Sequence, residues 1–129
     1  MTRQRGIPIC THLIIGLPGE ERWHNLETLA RVLALGVEGL KLHILHVVKH
    51  TILAKQWRQG TYQPLDMSTY ISIATDMIER TSPNIVYHRV TATAPKDILL
   101  APAWCHKKWE VLNGITAELH RRRTQQGYF

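Results

Sequence analysis

The chain has 129 residues, of which 44% are hydrophobic and 20% charged, and its formal net charge is +6. This composition is ordinary for one globular domain with a modest core. No apolar stretch reaches the roughly 20 residues that a membrane-spanning helix needs. The basic N-terminus is not followed by a signal-peptide cleavage pattern, so membrane insertion is excluded and a cytoplasmic protein is expected.

The first sixty residues carry the pattern of strand, helix and strand. Residues 7–16 form a nearly continuous apolar run, which is typical of a parallel strand covered on both faces. Residues 22–35 place apolar side chains at helical spacing, and Gly36 is a good helix stop. Residues 40–48 form a second apolar run. Strand, helix and strand in this order predict two parallel strands joined by a helix.

The rest of the chain predicts more helix than strand. Residues 51–58 are expected as a short helix closed by Gly60, and residues 65–80 as a longer one capped by Asp66 or Ser68. A third short strand begins near Ile85, and residues 91–95 form a loop. A last helix is expected over residues 103–122. The fold class predicted is therefore α/β, with about three parallel strands, flanking helices and a long C-terminal helix.

The carboxyl ends of parallel strands are where such folds bind ligands. Here those ends carry a Gly-Leu-Pro-Gly loop at residues 16–19, then residues 46–50, then His88 and Arg89. Glycines let the backbone approach a ligand, but an ordinary strand-to-helix turn uses the same residues. Arg89 and Lys49 suit a carboxylate or phosphate, and an internal ion pair explains them equally well.

Eight histidines and two cysteines raise the question of a metal site. His43 and His46 lie three apart, so on one strand they would point to opposite faces. Cys10 and Cys105 are far apart and match no metal or redox spacing, so no metal site is predicted in this chain. His12 and His43 are expected either to line one pocket or to be hydrogen-bonded core histidines.

The segment from Arg5 to Glu20, with its Cys-Thr-His-Leu-Ile-Ile-Gly-Leu-Pro-Gly run, resembles the fifth-strand region of a bacterial radical S-adenosylmethionine (SAM) family. That family is related to the Elongator catalytic subunit and to oxygen-independent coproporphyrinogen dehydrogenase. Residues 39–47 resemble its sixth strand, and residues 51–54, 60–65, 86–91, 101–104 and 126–127 follow in register. The resemblance covers essentially the whole chain.

The resemblance implies the C-terminal portion of a partial (β/α)6 barrel similar to a TIM barrel. Residues 1–60 would supply its last two βα units and residues 61–129 a C-terminal extension, together one incomplete domain. In such enzymes a reduced 4Fe-4S cluster cleaves SAM to a radical. The resemblance implies SAM contacts from Ile14, Gly16, Leu17, Pro18, Gly19, His46 and Val47. It also implies that His12, His43 and Arg89 line a substrate pocket.

The chain also departs from the family. It lacks the three closely spaced cysteines that bind the cluster, and the resemblance starts at the fifth strand. His50 stands where the family usually has glycine, and Ala92-Thr93 replaces a Gly-Asp pair. We therefore expect a fragment that is inactive alone and that either pairs with the missing N-terminal half or self-associates through an exposed sheet edge. The alternative is a small basic α/β module that binds RNA or a protein partner, because the net charge and the arginines at 121–123 permit contact with a polyanion.

Overall fold

The fold was analysed in a computed structural model that describes residues 9–92 and 94–129. Ten regular elements follow one another along this part of the chain. They are β1 (Cys10–Ile15), α1 (Arg22–Ala34), β2 (Gly39–Ile44), β3 (Val47–Val48), α2 (Ile52–Arg58), α3 (Met67–Glu79), β4 (Val86–Arg89), β5 (Leu99–Ala101), a 3-10 turn (Ala103–His106) and α4 (Lys108–Arg122).

Three parallel strands form the main sheet in the order β1-β2-β4. The prediction of an α/β fold with three parallel strands and flanking helices is confirmed. The parallel β1–β2 pair is joined by α1, as the strand, helix and strand pattern predicts. In the described part of the chain, β1 pairs only with β2, so β1 and β4 are the two edges of this sheet.

The second predicted strand, over residues 40–48, is wrong in its extent. Strand β2 ends at Ile44, and Val47–Val48 forms a separate strand that pairs antiparallel with β5. The backbone N–H of Leu45 still donates to Ile15, after which the chain changes partner. An unbroken apolar run cannot reveal this change, because both halves are buried, although against different strands.

One face of the sheet is covered by helices and holds the main core. Along β1 and β2, alternate side chains are buried, as the period of two in a strand requires. The buried core residues of these strands are Leu13, Ile15, Leu40, Leu42 and Ile44. They lie in one cluster with apolar residues of α1, α3 and α4, and α3 packs against α4. This arrangement leaves the opposite face of the sheet for other contacts.

The helix ends follow the local rules of capping. The Asp66 carboxylate accepts from the N–H of Thr69 at 2.7 Å, so Asp66 caps α3. The Thr51 hydroxyl accepts from the N–H of Ala54 and caps α2. Gly36 follows α1 with φ of 82°, the left-handed conformation expected of a glycine that ends a helix.

The C-terminal helix is shorter than predicted. Ala103–His106 forms a 3-10 turn, and Lys107 has non-helical backbone angles, so α4 begins only at Lys108. The indole N–H of Trp104 donates to the carbonyl of Leu65 at 2.9 Å, and Cys105 is fully buried. These contacts hold residues 103–106 in the 3-10 turn, so they do not extend α4. Helical periodicity continues through such a break and does not report it.

His50 has φ of 65°, in the region that glycine tolerates best. We expect His50→Gly to raise the free energy of unfolding by up to about 1 kcal/mol. Glycine removes the strain of the positive φ angle, and this gain exceeds the extra backbone entropy that glycine loses on folding. Urea denaturation checks this. The neighbouring variant Thr51→Ala, which loses the cap of α2, should lower it by about 1 kcal/mol. A less stable His50→Gly protein would contradict the strain argument.

Candidate functional site

The face of the sheet opposite the helices carries a group of basic side chains. On β1, His12 and Ile14 alternate with the buried Leu13 and Ile15 and are exposed. On β2, Lys41 and His43 alternate with buried leucines and are only partly exposed. Side chains of one parity share a face. We call this surface, made by His12, Ile14, Lys41, His43, His88 and Arg89, the open face.

His12 and His43 meet on the open face. Their ring centroids lie 5.1 Å apart, with an interplanar angle of 38°. The Nε2 atom of His43 is buried and has no hydrogen-bond partner in the described part of the chain. The two rings therefore lie side by side on one face of the sheet, and His43 is not a hydrogen-bonded core histidine. A buried unpaired ring nitrogen is costly unless a ligand group meets it.

The surroundings of His43 favour the neutral form of its imidazole. Burial lowers the pKa of His43, and electrostatic interactions with His12, His46, Arg89 and Lys41 lower it further. A neutral imidazole both donates and accepts hydrogen bonds. His43 can therefore accept a proton or hydrogen-bond a polar ligand, while the surrounding basic groups favour a ligand with negative charge.

Strand β4 brings two more basic groups to this face. A Cβ atom on Gly39 would lie 2.6 Å from Nε2 of His88, so the absence of a side chain there makes room for the His88 ring. The register shifts between Leu40 and Lys41, and Lys41 then lies opposite Arg89. Arg89 is the last residue of β4, and its positive charge is one of those that lower the pKa of His43.

The loop after β1 is held in place by contacts from a later segment. Gly16 and Gly19 have φ of 98° and 76°. The phenol of Tyr62 donates to the carbonyl of Gly16 at 2.7 Å, and a Cβ on Gly16 would lie 3.3 Å from Ile44. No heavy atom would lie within 4 Å of a Cβ on Gly19. The loop is therefore held in place at Gly16, whereas the space beside Gly19 is open to a ligand.

Apolar side chains lie exposed beside this loop. Ile14 is 45% and Leu17 39% exposed. Both line a hollow of about 240 Å³ that also includes His12 and Glu20. One carboxylate oxygen of Glu20 is buried without a hydrogen-bond partner among the described residues. Exposed apolar side chains beside an open glycine loop can pack against a flat ring, so the residues fit the adenine of SAM.

His46 and Val47 occupy different surroundings. Nε2 of His46 lies 3.3 Å from the carbonyl oxygen of Ala92, which links the end of β2 to the loop after β4. Val47 is fully buried in a small second core with Ala54, Tyr62 and Ala101. The side chain of Val47 is therefore not exposed to a ligand, whereas His46 has a polar group at the strand ends.

The cysteines do not form a cluster site. Cys10 is exposed on β1 and Cys105 is fully buried in the core. Within residues 9–92 and 94–129, no group of three or more His, Cys, Asp or Glu side chains is placed to hold a metal ion. A 4Fe-4S cluster held by protein requires several cysteine ligands close together. The described residues do not fit that cluster.

A larger cleft, of about 550 Å³, lies between the end of β4 and the first turns of α4. Among its lining residues are Arg89, Thr91, Lys108 and Trp109. Through Arg89 the cleft adjoins the open face. Sequence reasoning found Arg89 but missed the other three. Lys108 and Trp109 are brought to β4 only by the packing of α4, whereas Thr91 follows β4 directly in the chain.

The family of the chain follows from comparison with known proteins. A family model described as the Radical_SAM C-terminal domain matches residues 37–121, which is more than half of the chain. The chain belongs to the Radical_SAM C-terminal domain family. This confirms the resemblance seen in the sequence.

Relatives and a solved structure agree with this family. The chain is 47% identical over 109 residues to the protein YhcC of Escherichia coli K12 and 39% identical over 127 residues to YtqA of Bacillus subtilis. These matches cover 84% and 98% of this chain but only 35% and 39% of the relatives. An Elp3 of Methanocaldococcus infernus matches with a TM-score of 0.80 at 12% identity, over 96% of this chain and 29% of that one. The predicted fold, part of a radical SAM protein, is thereby confirmed.

No helix in the described ranges is long and apolar enough to cross a membrane.

Lys41 and Tyr62 were also missed as site residues. Lys41 could have been found, since it lies two positions before His43 on the same strand. Tyr62 could not, because its contact with Gly16 spans 46 positions.

The Tyr62 hydroxyl offers a test of how the glycine loop is held. We expect Tyr62→Phe to lower the free energy of unfolding by about 1 kcal/mol, because one hydrogen bond is lost while the ring still packs. Amide exchange in the loop at residues 16–19 should become faster than in α4, as measured by hydrogen–deuterium exchange. Unchanged exchange in the loop would show that Tyr62 does not hold it.

Proposed function

We propose that this chain forms one wall of the SAM and substrate pocket of a radical SAM enzyme. The observation that carries the proposal is the open face, where Nε2 of His43 is buried without a hydrogen-bond partner among the described residues and lies among basic groups beside an open glycine loop. A buried polar atom without a hydrogen-bond partner destabilises the folded protein, so this surface suits a ligand that supplies polar and negatively charged atoms.

The proposed role of each site residue follows from the chemistry of its side chain. Ile14 and Leu17, with the backbone of Gly16, Pro18 and Gly19, would pack against adenine. His46, near the strand ends, would hydrogen-bond the same ligand, and Val47 would set the position of the backbone there. His12, His43 and Arg89 would line the substrate pocket, with Arg89 favouring a carboxylate or phosphate. In the full-length family, SAM and a reduced 4Fe-4S cluster supply a radical that abstracts hydrogen from the substrate.

Because the two cysteines do not fit a cluster, we place the cluster outside this chain and infer that the chain is inactive alone. The missing N-terminal half of the barrel, in the same protein or in a cytoplasmic partner, would complete the pocket. The outer edge of β1 supports this, since in the described part of the chain it has unused backbone groups beside exposed Ile14.

The SAM contact is tested by amide-resolved NMR of the purified chain titrated with SAM. Shifts should concentrate at residues 14–19 and 46, and Leu17→Asp should weaken binding about tenfold by removing an apolar contact and adding charge. Leu35→Asp is the matched control, because Leu35 is 65% exposed at the end of α1. Equal losses in both variants, or shifts confined to other elements, would contradict the proposed contact.

The free edge predicts self-association. We expect the chain alone to sediment as dimers or larger species, because an unpaired strand recruits another strand. Replacing exposed Ile14 of β1 by Lys should shift it toward the monomer, whereas Ile52→Lys, on the exposed surface of α2, should not. A monodisperse monomer of the unaltered chain would contradict pairing through this edge.

RNA binding is the second candidate function. It is favoured by the net charge of +6 and by the basic groups on the open face. A relative with 29% identity over 99 residues is named as a tRNA uridine(34) acetyltransferase of Dehalococcoides mccartyi. Binding of RNA that weakens steeply as salt rises would support this function. Binding that is absent at low salt would exclude it.

A further inference from the structure

The cleft between β4 and α4 has the features of a ligand site distinct from the glycine loop. Its volume of about 550 Å³ lies within the range of small-molecule sites. Thr91, one of its lining residues, is only 5% exposed, and its hydroxyl oxygen is buried without a hydrogen-bond partner within the described residues. A buried hydroxyl without a partner indicates a polar atom that the described residues do not supply.

Basic side chains line the same cleft as Thr91. His88, Arg89 and Lys108 line the same cleft, and Arg89 is exposed at the end of β4. Lys108 is the first residue of α4, whose leading N–H groups have no partners within the helix. Glu110, the acidic residue of that turn, is not among the residues that line the cleft. Positive side chains together with the start of a 15-residue helix favour an anion, with phosphate geometry well suited to Arg89.

An aromatic ring stands beside these charges. Trp109 is 71% exposed, although indole is among the largest apolar side chains. Nζ of Lys108 lies 5.5 Å from the centroid of the Trp109 ring, so one charge and one flat apolar surface are presented together. Leu112 and Ala92 add apolar surface to the same lining. Rings of nucleobases stack on such exposed aromatic side chains.

We propose that this cleft binds a nucleotide, with the phosphate at Arg89, Lys108 and the Thr91 hydroxyl and the base stacked on Trp109. The nucleotide can be a free mononucleotide or one residue of a single-stranded RNA. The inference does not rest on the SAM contact, because none of the residues at the glycine loop lines this cleft, although the cleft shares Arg89 with the proposed substrate pocket.

The test is calorimetric titration of the purified chain with adenosine monophosphate, adenosine, inorganic phosphate and a short oligoadenylate. Adenosine monophosphate should bind at least tenfold more tightly than adenosine or phosphate, since only it uses both halves of the site. Lys108→Ala and Trp109→Ala should each weaken it about tenfold. An oligoadenylate that binds much more tightly than the monophosphate would identify RNA as the source, and equal affinity would identify a free nucleotide.

Matched controls keep the outcome clear. Lys107→Ala removes the adjacent exposed lysine, and Trp23→Ala removes a tryptophan of α1 that is 56% exposed and does not line the cleft. All four substitutions are at exposed positions, so thermal melting should be unchanged. The proposal is overturned if adenosine monophosphate binds no better than phosphate, or if the control variants weaken binding as much as the cleft variants.

Discussion

Replacing Arg122 by Met is expected to lower the free energy of unfolding by about 3 to 5 kcal/mol. Arg122 lies on α4, and its Nη1 is 2.6 Å from Asp76 and 2.7 Å from Glu79, both on α3. Its Nε is 2.8 Å from Glu118. The side chain of Glu79 is only 3% exposed, so the variant leaves a carboxylate buried without its cation. Urea denaturation followed by tryptophan fluorescence measures the change.

The adjacent arginine is the control. Among the described residues the Arg121 side chain pairs only with Glu118, and it is 71% exposed, so Arg121→Met should lower the free energy of unfolding much less than Arg122→Met does. The double variant Arg122→Met, Glu79→Gln should recover part of the loss, because the buried charge is then removed with its partner. A loss of the same size in Arg121→Met and Arg122→Met would show that general charge, not the buried pair, matters.

The same cluster predicts an acid limb of stability. Hydrogen bonds from Arg121 and then Arg122 lower the pKa of Glu118 from 4.5 to about 2. A carboxylate whose pKa is lowered by folding stabilises the protein above pH 4.5, and this contribution is lost as the pH falls toward 2. The Glu118→Gln variant should therefore show a smaller loss of stability over that range of pH.

Replacing Tyr70 by Ala is the second large effect, expected at about 3 to 5 kcal/mol. Tyr70 is fully buried on α3, its ring centroid is 5.3 Å from that of Trp104, and its hydroxyl donates to the carbonyl of Val90 at 2.6 Å. Alanine leaves a cavity in the core and frees the loop after β4. Thermal and urea denaturation together measure the loss.

Tyr70→Phe separates packing from hydrogen bonding. It keeps the ring but leaves the Val90 carbonyl unpaired, so we expect a loss of about 1 to 3 kcal/mol. A Phe variant as unstable as the Ala variant would show that the hydrogen bond, rather than the cavity, dominates. Since Val90 adjoins the cleft, this variant should also raise amide exchange in residues 90–92.

Helices and caps could be predicted because their signals are local. The apolar spacing of α3 was read correctly from one stretch of sequence, and of the two predicted caps, Asp66 and Ser68, the structure shows Asp66. The parallel pairing of β1 and β2 also followed from chain order, because a helix joins them. The contact between His12 and His43 followed from strand alternation and parallel pairing.

Breaks within apolar runs were decided by partners far along the chain. Strand β2 ends at Ile44, and Val47 and Val48 then pair with β5, more than fifty positions later. Helix α4 begins at Lys108 and not at residue 103, because residues 103–106 form a 3-10 turn in which the Trp104 indole donates a hydrogen bond to Leu65. No periodicity within a window of ten or twenty residues records such contacts.

The sequence by itself determined the secondary structure of most elements, the parallel βαβ unit, the family and the basic residues at the strand ends. Each of these depends on residues close together or on a matched motif. Only the tertiary structure decided that Nε2 of His43 is buried without a hydrogen-bond partner among the described residues, that the surroundings lower the pKa of His43, and that Thr91, Lys108 and Trp109 share a cleft with Arg89. Burial and electrostatic fields are sums over groups that are distant in sequence, so they exist only once the chain is packed.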